Sequence, residues 1–494
     1  MRMRRERRSL SGPFTEFMTI LFAGSEWAPL ASAGGLGEVL ASLPQFVRAR
    51  GHDTALVVPG YPGLLEGSSS LDVRFEVALG GRFLPAEIRE RSLPHGAQLL
   101  LICNEELFGR PGIYADPRTH LEYADNAERF IFFSKAVVEL ARRLDPSPAV
   151  LHVNDWETAL VPALLRDQRL PIRSVLTLHN LAYQGVFPPE CFALTGLSPR
   201  WMSPDGLEFH GKVNLLKAGL MAADALTTVS ARYRREILTP EGGCGLEGVL
   251  GQRAGDLVSV PIGVDPQRWS PCSPEAVSLL PAAFSLEDPS GKAICRRALL
   301  EETGLHPEPS GPVFVMLGRL ADQKGFDLLL PLVPRLLSGD MRLIIAGDGD
   351  PKLHRDLLSA CRRHPGKFAF VHDWEGSFPQ RLLAGADVLL MPSHFEPGGL
   401  APLHALAYGT IPVAHATGGL TDNLTPFELR DCSGNALLYF EDSREALWDT
   451  ILRACVLFEQ WGVWNKLLHN ALQSRYSWEA TADRLDPIYR RLAH

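Results

Sequence analysis

Two basic side chains, a carboxylate and two glycine-rich turns have the types and spacing to handle a charged ligand. Arg319 and Lys324 stand in Gly318-Arg319-Leu320-Ala321-Asp322-Gln323-Lys324-Gly325, directly after the apolar run Val313 to Leu317. Glu396 opens Glu396-Pro397-Gly398-Gly399-Leu400, and the turns are Ser32-Ala33-Gly34-Gly35-Leu36-Gly37-Glu38 and Thr417-Gly418-Gly419-Leu420. Fixed cations and backbone N–H groups stabilise charge that builds on a departing phosphate, and a carboxylate grips hydroxyls or steadies a developing positive centre. Such a set suits a phosphorylated sugar.

These residues need strand ends to hold them. Short β-rich runs alternate with longer helical stretches, the pattern of βα units around a buried parallel sheet. In the first half the strands are predicted at Thr19 to Ala23, Thr54 to Pro59, Gln98 to Cys103, Val150 to Val153, Val175 to Leu178 and Leu226 to Val229. In the second half they are predicted at Val313 to Leu317, Leu343 to Ala346, Phe368 to Val371, Val388 to Met391, Ile411 to Ala414 and Leu437 to Phe440. Open α/β sheets place ligands at the carboxyl ends of their strands, where Arg319, Lys324, Glu396 and both glycine turns fall.

A chain of 494 residues exceeds the size at which one core stops growing, so two domains are expected. The Pro- and Ser-rich stretch that begins at Gln267 puts the hinge near Val264. The reading is a disordered leader over 1–17, a first Rossmann-like domain over 18–263, a second over 264–475, and a helix over 476–494. Ala482, Leu485 and Ile488 give that helix an apolar face with which to pack back on the first domain.

Composition excludes several classes of function. A net charge of -8 argues against coating nucleic acid or an anionic membrane, both of which require a basic surface. The eight cysteines are scattered, with neither zinc spacing nor a disulfide framework, which fits a reducing cytoplasm. Asp348-Gly349-Asp350 invites a metal reading, but its place between a strand and Pro351 reads better as a turn. No metal and no cofactor are expected.

The chain resembles the bacterial glycogen synthases and plant starch synthases from Met18 to its C-terminus. The resemblance is carried by Gly34-Gly35-Leu36-Gly37-Glu38-Val39, Asn154-Asp155-Trp156, and Thr177-Leu178-His179-Asn180-Leu181-Ala182-Tyr183-Gln184-Gly185. Further matches are Lys217-Ala218-Gly219, Gly245-Leu246-Glu247-Gly248-Val249-Leu250, Arg319 with Lys324, Glu396-Pro397, and Thr417-Gly418-Gly419-Leu420. It implies a retaining GT-B glycosyltransferase, two Rossmann-like domains facing across a cleft, moving glucose from ADP-glucose to the non-reducing end of an α-1,4-glucan.

Within that resemblance Arg319, Lys324, Glu396 and His179 are the catalytic set. Gly34, Gly35, Thr417, Gly418, Gly419, Leu420, Gly398 and Gly399 face the donor, with bare amides of the 417–420 turn wrapping a phosphate. Asp155, Trp156, Asn180, Tyr183 and Gln184 face the acceptor. Read as residues alone, Asp155 caps the next helix equally well, and Trp156 either stacks on a sugar or lies beneath the sheet.

The departures fall at the same place. Ser32 stands where the family has a lysine for the donor diphosphate, Glu157 where it has a histidine, Ile262 where it has an asparagine and Gly398 where it has a cysteine, while the aromatic that receives the adenine is displaced around His372-Asp373-Trp374. Three other readings therefore stay open: a GT-B transferase with a different nucleotide sugar or acceptor, a noncatalytic glucan-binding paralogue, and a nucleotide-sugar epimerase of similar shape.

Overall fold

The computed structural model describes residues 18–93, 98–372, 374 and 376–493. The segment read as a leader, 1–17, lies outside them, as does Asp373. The chain divides into two compact units, one reaching Pro261 and completed by the segment from Trp478, the other Ile262–Ser477.

The first unit is built on one sheet that includes strands β1 (Thr19–Ala23), β2 (Asp53–Pro59), β3 (Ser69–Leu79), β4 (Arg82–Ser92), β5 (Gln98–Cys103), β6 (Val150–Asn154) and β7 (Arg173–Leu178). The short strands β8 (Val186–Phe187), β9 (Glu208–Phe209) and β10 (Lys212–Asn214) form a separate antiparallel sheet, and β11 (Ala225–Thr228) and β12 (Leu257–Ser259) extend the main one. Its order is β12-β11-β7-β6-β1-β2-β5-β4-β3. Strands β1, β2, β5, β6, β7, β11 and β12 pair in parallel and their residues read as near-continuous apolar runs, with Ile20, Leu21 and Phe22 wholly buried between helices.

The hairpin β3–β4 pairs antiparallel, so this sheet is mixed, which the reading of continuous apolar runs missed. Its strands alternate, burying Phe75, Val77 and Leu79 on one face, and Gly80-Gly81 turns the chain between them. Alternation around a Gly-Gly pair was the available signal.

The second unit holds β13 (Val313–Leu317), β14 (Arg342–Ala346), β15 (Phe368–Val371), β16 (Val388–Met391), β17 (Ile411–His415) and β18 (Leu437–Tyr439), all parallel, in the order β15-β14-β13-β16-β17-β18. Among the parallel strands of each unit's large sheet the order reverses once. The reversal lies between β1 and β6 in the first unit and between β13 and β16 in the second, and such switch points open a crevice at the carboxyl ends.

Helix Trp478–Ala493 belongs to the first unit and buries Ala482, Leu485 and Ile488. Its Tyr489 hydroxyl meets His152 Nδ1 at 2.6 Å, and His152 Nε2 meets Thr177 Oγ1 at 2.6 Å, so a buried polar chain ties the helix through β6 to β7. Burial and the neighbouring His179 hold the His152 pKa down to about 3. No helix among the described residues is long and apolar enough to cross a membrane.

Candidate active site

In the second unit the loops that leave β13 and β16 are laced together at the switch point. Gln323 accepts the His394 N–H through its carbonyl at 3.0 Å and donates from Nε2 to the Phe395 carbonyl at 2.9 Å. One residue further, Lys324 Nζ lies 2.6 Å from Glu396 Oε2, which also accepts from Ser393 Oγ at 3.2 Å. Both side chains are largely buried, 19% exposed for Lys324 and 10% for Glu396, so the pair is shielded from solvent more than a surface ion pair. Gly325 makes the approach possible. Its φ of +72° is open to glycine, and a Cβ there would stand 1.9 Å from the Pro392 carbonyl oxygen. Arg319 is exposed on the same loop.

The 417–420 turn packs onto this assembly differently from the expectation. The Gly419 N–H donates to the carbonyls of Glu396 at 2.9 Å and Pro397 at 3.1 Å, Leu420 N–H to Thr417, and Thr417 N–H to His415. A Cβ on Gly419 would lie 2.5 Å from the Gly398 carbonyl oxygen. Asn423 Nδ2 donates to that same oxygen at 3.0 Å. The expectation of bare amides is therefore corrected: the N–H groups of Thr417, Gly419 and Leu420 are engaged, and the double glycine lets two loops touch. The turn fixes the Glu396 backbone.

In the first unit the loops after β6 and β7 meet at His179. Asp155 is not a helix cap: its Oδ1 takes the His179 N–H at 2.7 Å, and the short helix Asp155–Thr158 has no side-chain cap. Asp155 holds φ at +53°, an uncommon conformation for a residue with a side chain, of the kind retained at sites that dictate it. His179 Nε2 lies 3.0 Å from Asn154 Oδ1, whose amide nitrogen donates to the Ala23 carbonyl. That orientation makes Nε2 the protonated nitrogen and leaves Nδ1 as an acceptor. Although His179 keeps some surface, burial of its ring pushes its pKa down to about 4, so the ring is neutral at neutral pH.

Beneath this loop Trp156 is buried, its ring edge-on to Phe130 at 5.0 Å and tilted to Phe187 at 5.7 Å. It is a floor and not an open sugar platform. Gln184 is likewise consumed by the fold, donating to the Leu181 and Cys244 carbonyls and accepting from Asn214 Nδ2 at 2.7 Å. Asn180 receives the Ala182 N–H in a local turn, and Tyr183 is exposed. The Lys217-Ala218-Gly219 motif is structural as well: Lys217 is buried with its ammonium on the Pro204 and Glu208 carbonyls.

The glycine loop after β1 also holds an unexpected occupant. Glu26 Oε2 accepts the N–H groups of Ala33 at 2.9 Å and Gly34 at 3.1 Å, together with the Ser32 hydroxyl at 3.3 Å, while Oε1 takes the Tyr114 hydroxyl at 2.8 Å. The amides at Ala33 and Gly34 are thus satisfied by the chain's own carboxylate, at the place where Gly34 and Gly35 were read as donor contacts. Glu157 is buried nearby, one oxygen without a partner. Burial, then the charge of Asp155, raises its pKa well above the usual carboxylate range. Glu26 and Tyr114 escaped the sequence reading because nothing in their local spacing connects them; they are 88 residues apart.

Asp350 caps helix Pro351–Arg363 through the N–H groups of Lys352 and Leu353 at 2.7 and 3.0 Å, which gives that carboxylate a structural use.

Residues 19–252 match the family described as the starch synthase catalytic domain, and 304–455 match glycosyl transferases group 1. Glycogen synthase 2 of Geobacter metallireducens is 38% identical over 489 residues, covering 96% of this chain and 99% of that one. The glycogen synthase of Myxococcus xanthus is 40% identical over 488 residues, with 96% and 99% covered. The chain belongs to the glycogen synthase family. Among solved structures, the catalytic domain of starch synthase IV from Arabidopsis thaliana, bound to ADP and acarbose, superposes with a TM-score of 0.89 at 25% identity, covering 97% of this chain and 100% of that one. Sucrose-phosphate synthase of Thermosynechococcus elongatus, at 18% identity and a TM-score of 0.61, shares the fold. The protein is a glycosyltransferase of the GT-B class, and its family acts with a nucleotide sugar and a glucan.

Proposed function

We propose that this glycogen synthase family member transfers glucose from ADP-glucose to the 4-hydroxyl at the non-reducing end of an α-1,4-glucan, with retention, in the cytoplasm. The observation that carries the reading is the shielded Lys324–Glu396 pair held at the second unit's switch point, with Arg319 on the same loop. Breaking the anomeric bond leaves negative charge on the diphosphate. Lys324 and Arg319 offset it, and Lys324 has donors left over while it contacts Glu396. Glu396 holds donor hydroxyls and steadies positive charge at the anomeric carbon. His179, neutral and with Nδ1 free of the Asn154 contact, accepts from a sugar hydroxyl. It is a holder, and the departing phosphate takes the acceptor's proton.

A second reading, a different nucleotide sugar, draws on Glu26, whose carboxylate sits on the loop amides beside Ser32 where the family has a cation. Incubation of the full chain with ADP-glucose or UDP-glucose, each with and without glycogen primer, separates the readings. Polymer growth from ADP-glucose supports the first and growth from UDP-glucose alone the second. Binding without growth returns the chain to the glucan-binding class.

A further inference from the structure

His394 lies two residues before Glu396, and Asp327 lies three residues after Lys324. His394 Nε2 is 2.9 Å from Asp327 Oδ1, on the short helix Phe326–Leu329, and Nδ1 is 2.7 Å from Asp442 Oδ2, on the segment between β18 and helix Arg444–Glu459. Ionised carboxylates only accept hydrogen bonds, and a neutral imidazole has a single N–H. Two such contacts are made together only by the imidazolium. The ring therefore closes a lattice between the loops of β13 and β16 that already contains the Gln323 contacts and the Lys324–Glu396 pair, and it anchors both loops to the end of β18.

We propose that His394, as a cation, is a positioning residue for transfer, holding the Lys324 and Glu396 loops in register. The proposal rests on the reading of Lys324 and Glu396 given above. The groups that bear on the ring are Asp327 and Asp442. The Tyr439 phenol on β18 feels both carboxylates. Burial works against the His394 charge, but the hydrogen bonds it donates to Asp442 and Asp327, with the charges of those carboxylates, outweigh it and raise its pKa. A raised pKa means the clamp is complete below that value and opens as pH rises through it.

Three measurements on the full chain test this. The His394 ring resonances should titrate above the ordinary value of about 6.5 and fall toward it in Asp327→Asn. His394→Asn should lower kcat by about tenfold at a pH below the His394 pKa, with KM for the donor within about twofold, since loops that drift lose alignment more than affinity. His394→Arg, with several donors and a permanent charge, should recover most of that loss and carry activity to higher pH than the parent. Unchanged kcat in His394→Asn, or an alkaline limb that is the same in His394→Arg and the parent, overturns the positioning role. If His394→Asn does not fold, the titration and the arginine profile still decide. Lys324→Ala serves as the control: if it transfers glucose normally, the active-site reading has failed, whatever His394 does.

Discussion

The two switch points occupy equivalent places in their sheets and carry opposite chemistry. At the second, the loop after β13 brings the cations Arg319 and Lys324, and Lys324 holds the buried Glu396 carboxylate at 2.6 Å. At the first, the residues that meet are Glu26, Asp155, Glu157 and a neutral histidine. Both use glycines, but neither glycine turn keeps its amides free: Gly419 spends its N–H on the Glu396 loop, and Gly34 spends its N–H on Glu26. Glycine at such turns here permits close packing. On the function proposed above, the charge that meets a leaving diphosphate comes from side chains of the second unit, and the neutral or acidic groups that meet sugar hydroxyls come from the first.

The asymmetry breaks most directly at its cations. Arg319→Ala and Lys324→Ala should each lower kcat by about 100- to 1000-fold, the usual cost of removing one donor aimed at developing charge. Steady-state kinetics with ADP-glucose and primer read the effect, and a loss confined to KM would place these residues outside the transition state. Glu396→Gln keeps the volume and gives up the charge; roughly 10- to 100-fold in kcat is expected, because a neutral acceptor is the weaker partner. Mutants of the first unit should act differently. His179→Asn, if the ring only holds a hydroxyl, should show no change in the pH profile above about 5, since the parent ring is already neutral there with its pKa held at about 4.

Much of this was legible beforehand. Buried parallel strands are continuous apolar runs, so the central strands of both sheets, and with them the placement of Arg319, Lys324 and Glu396 at strand ends, followed from pattern alone. The hairpin β3–β4 did not, because its faces alternate. Side-chain partnerships were harder still. Nothing local says that Asp155 will turn its carboxylate to the His179 backbone, or that Glu26 will reach the amides of Ala33 and Gly34, because each depends on loops brought together by the sheet order. Trp156 and Gln184 sit inside two motifs that look like ligand contacts, yet a motif also records the packing beneath a loop, and these two side chains belong to that packing.

A sharper test of the comparison adds the missing cation to the acidic side. Ser32 Oγ is 3.3 Å from Glu26 Oε2, so a lysine introduced by Ser32→Lys meets that carboxylate before it meets a donor. Ser32→Lys alone should therefore raise donor affinity only slightly, whereas in a Glu26→Gln background the gain should be larger. The coupling between the two changes should amount to about 0.5–3 kcal/mol in a double-mutant cycle on donor KM and kcat. Additive effects would mean that Glu26 does not compete for the cation, and that the first unit's loop is indifferent to charge.

The smallest expected effect is on stability and concerns Glu157. Burial together with Asp155 raises its folded-state pKa, so folding favours the protonated acid. The unfolded chain ionises this group near the ordinary value of about 4.3, and the folded chain binds the proton to higher pH. Its contribution to stability is then fully present below that unfolded value and is lost as pH rises toward the folded one. Glu157→Gln removes the titration while keeping the shape. Denaturant melts should find the variant more stable than the parent by about 1–3 kcal/mol at pH 8, the range for one imperfectly satisfied buried polar group, and little different at pH 4. An equal shift at both pH values would show a packing change in place of a charge effect, and the acidic character assigned to the first switch point would then rest on Glu26 and Asp155 alone.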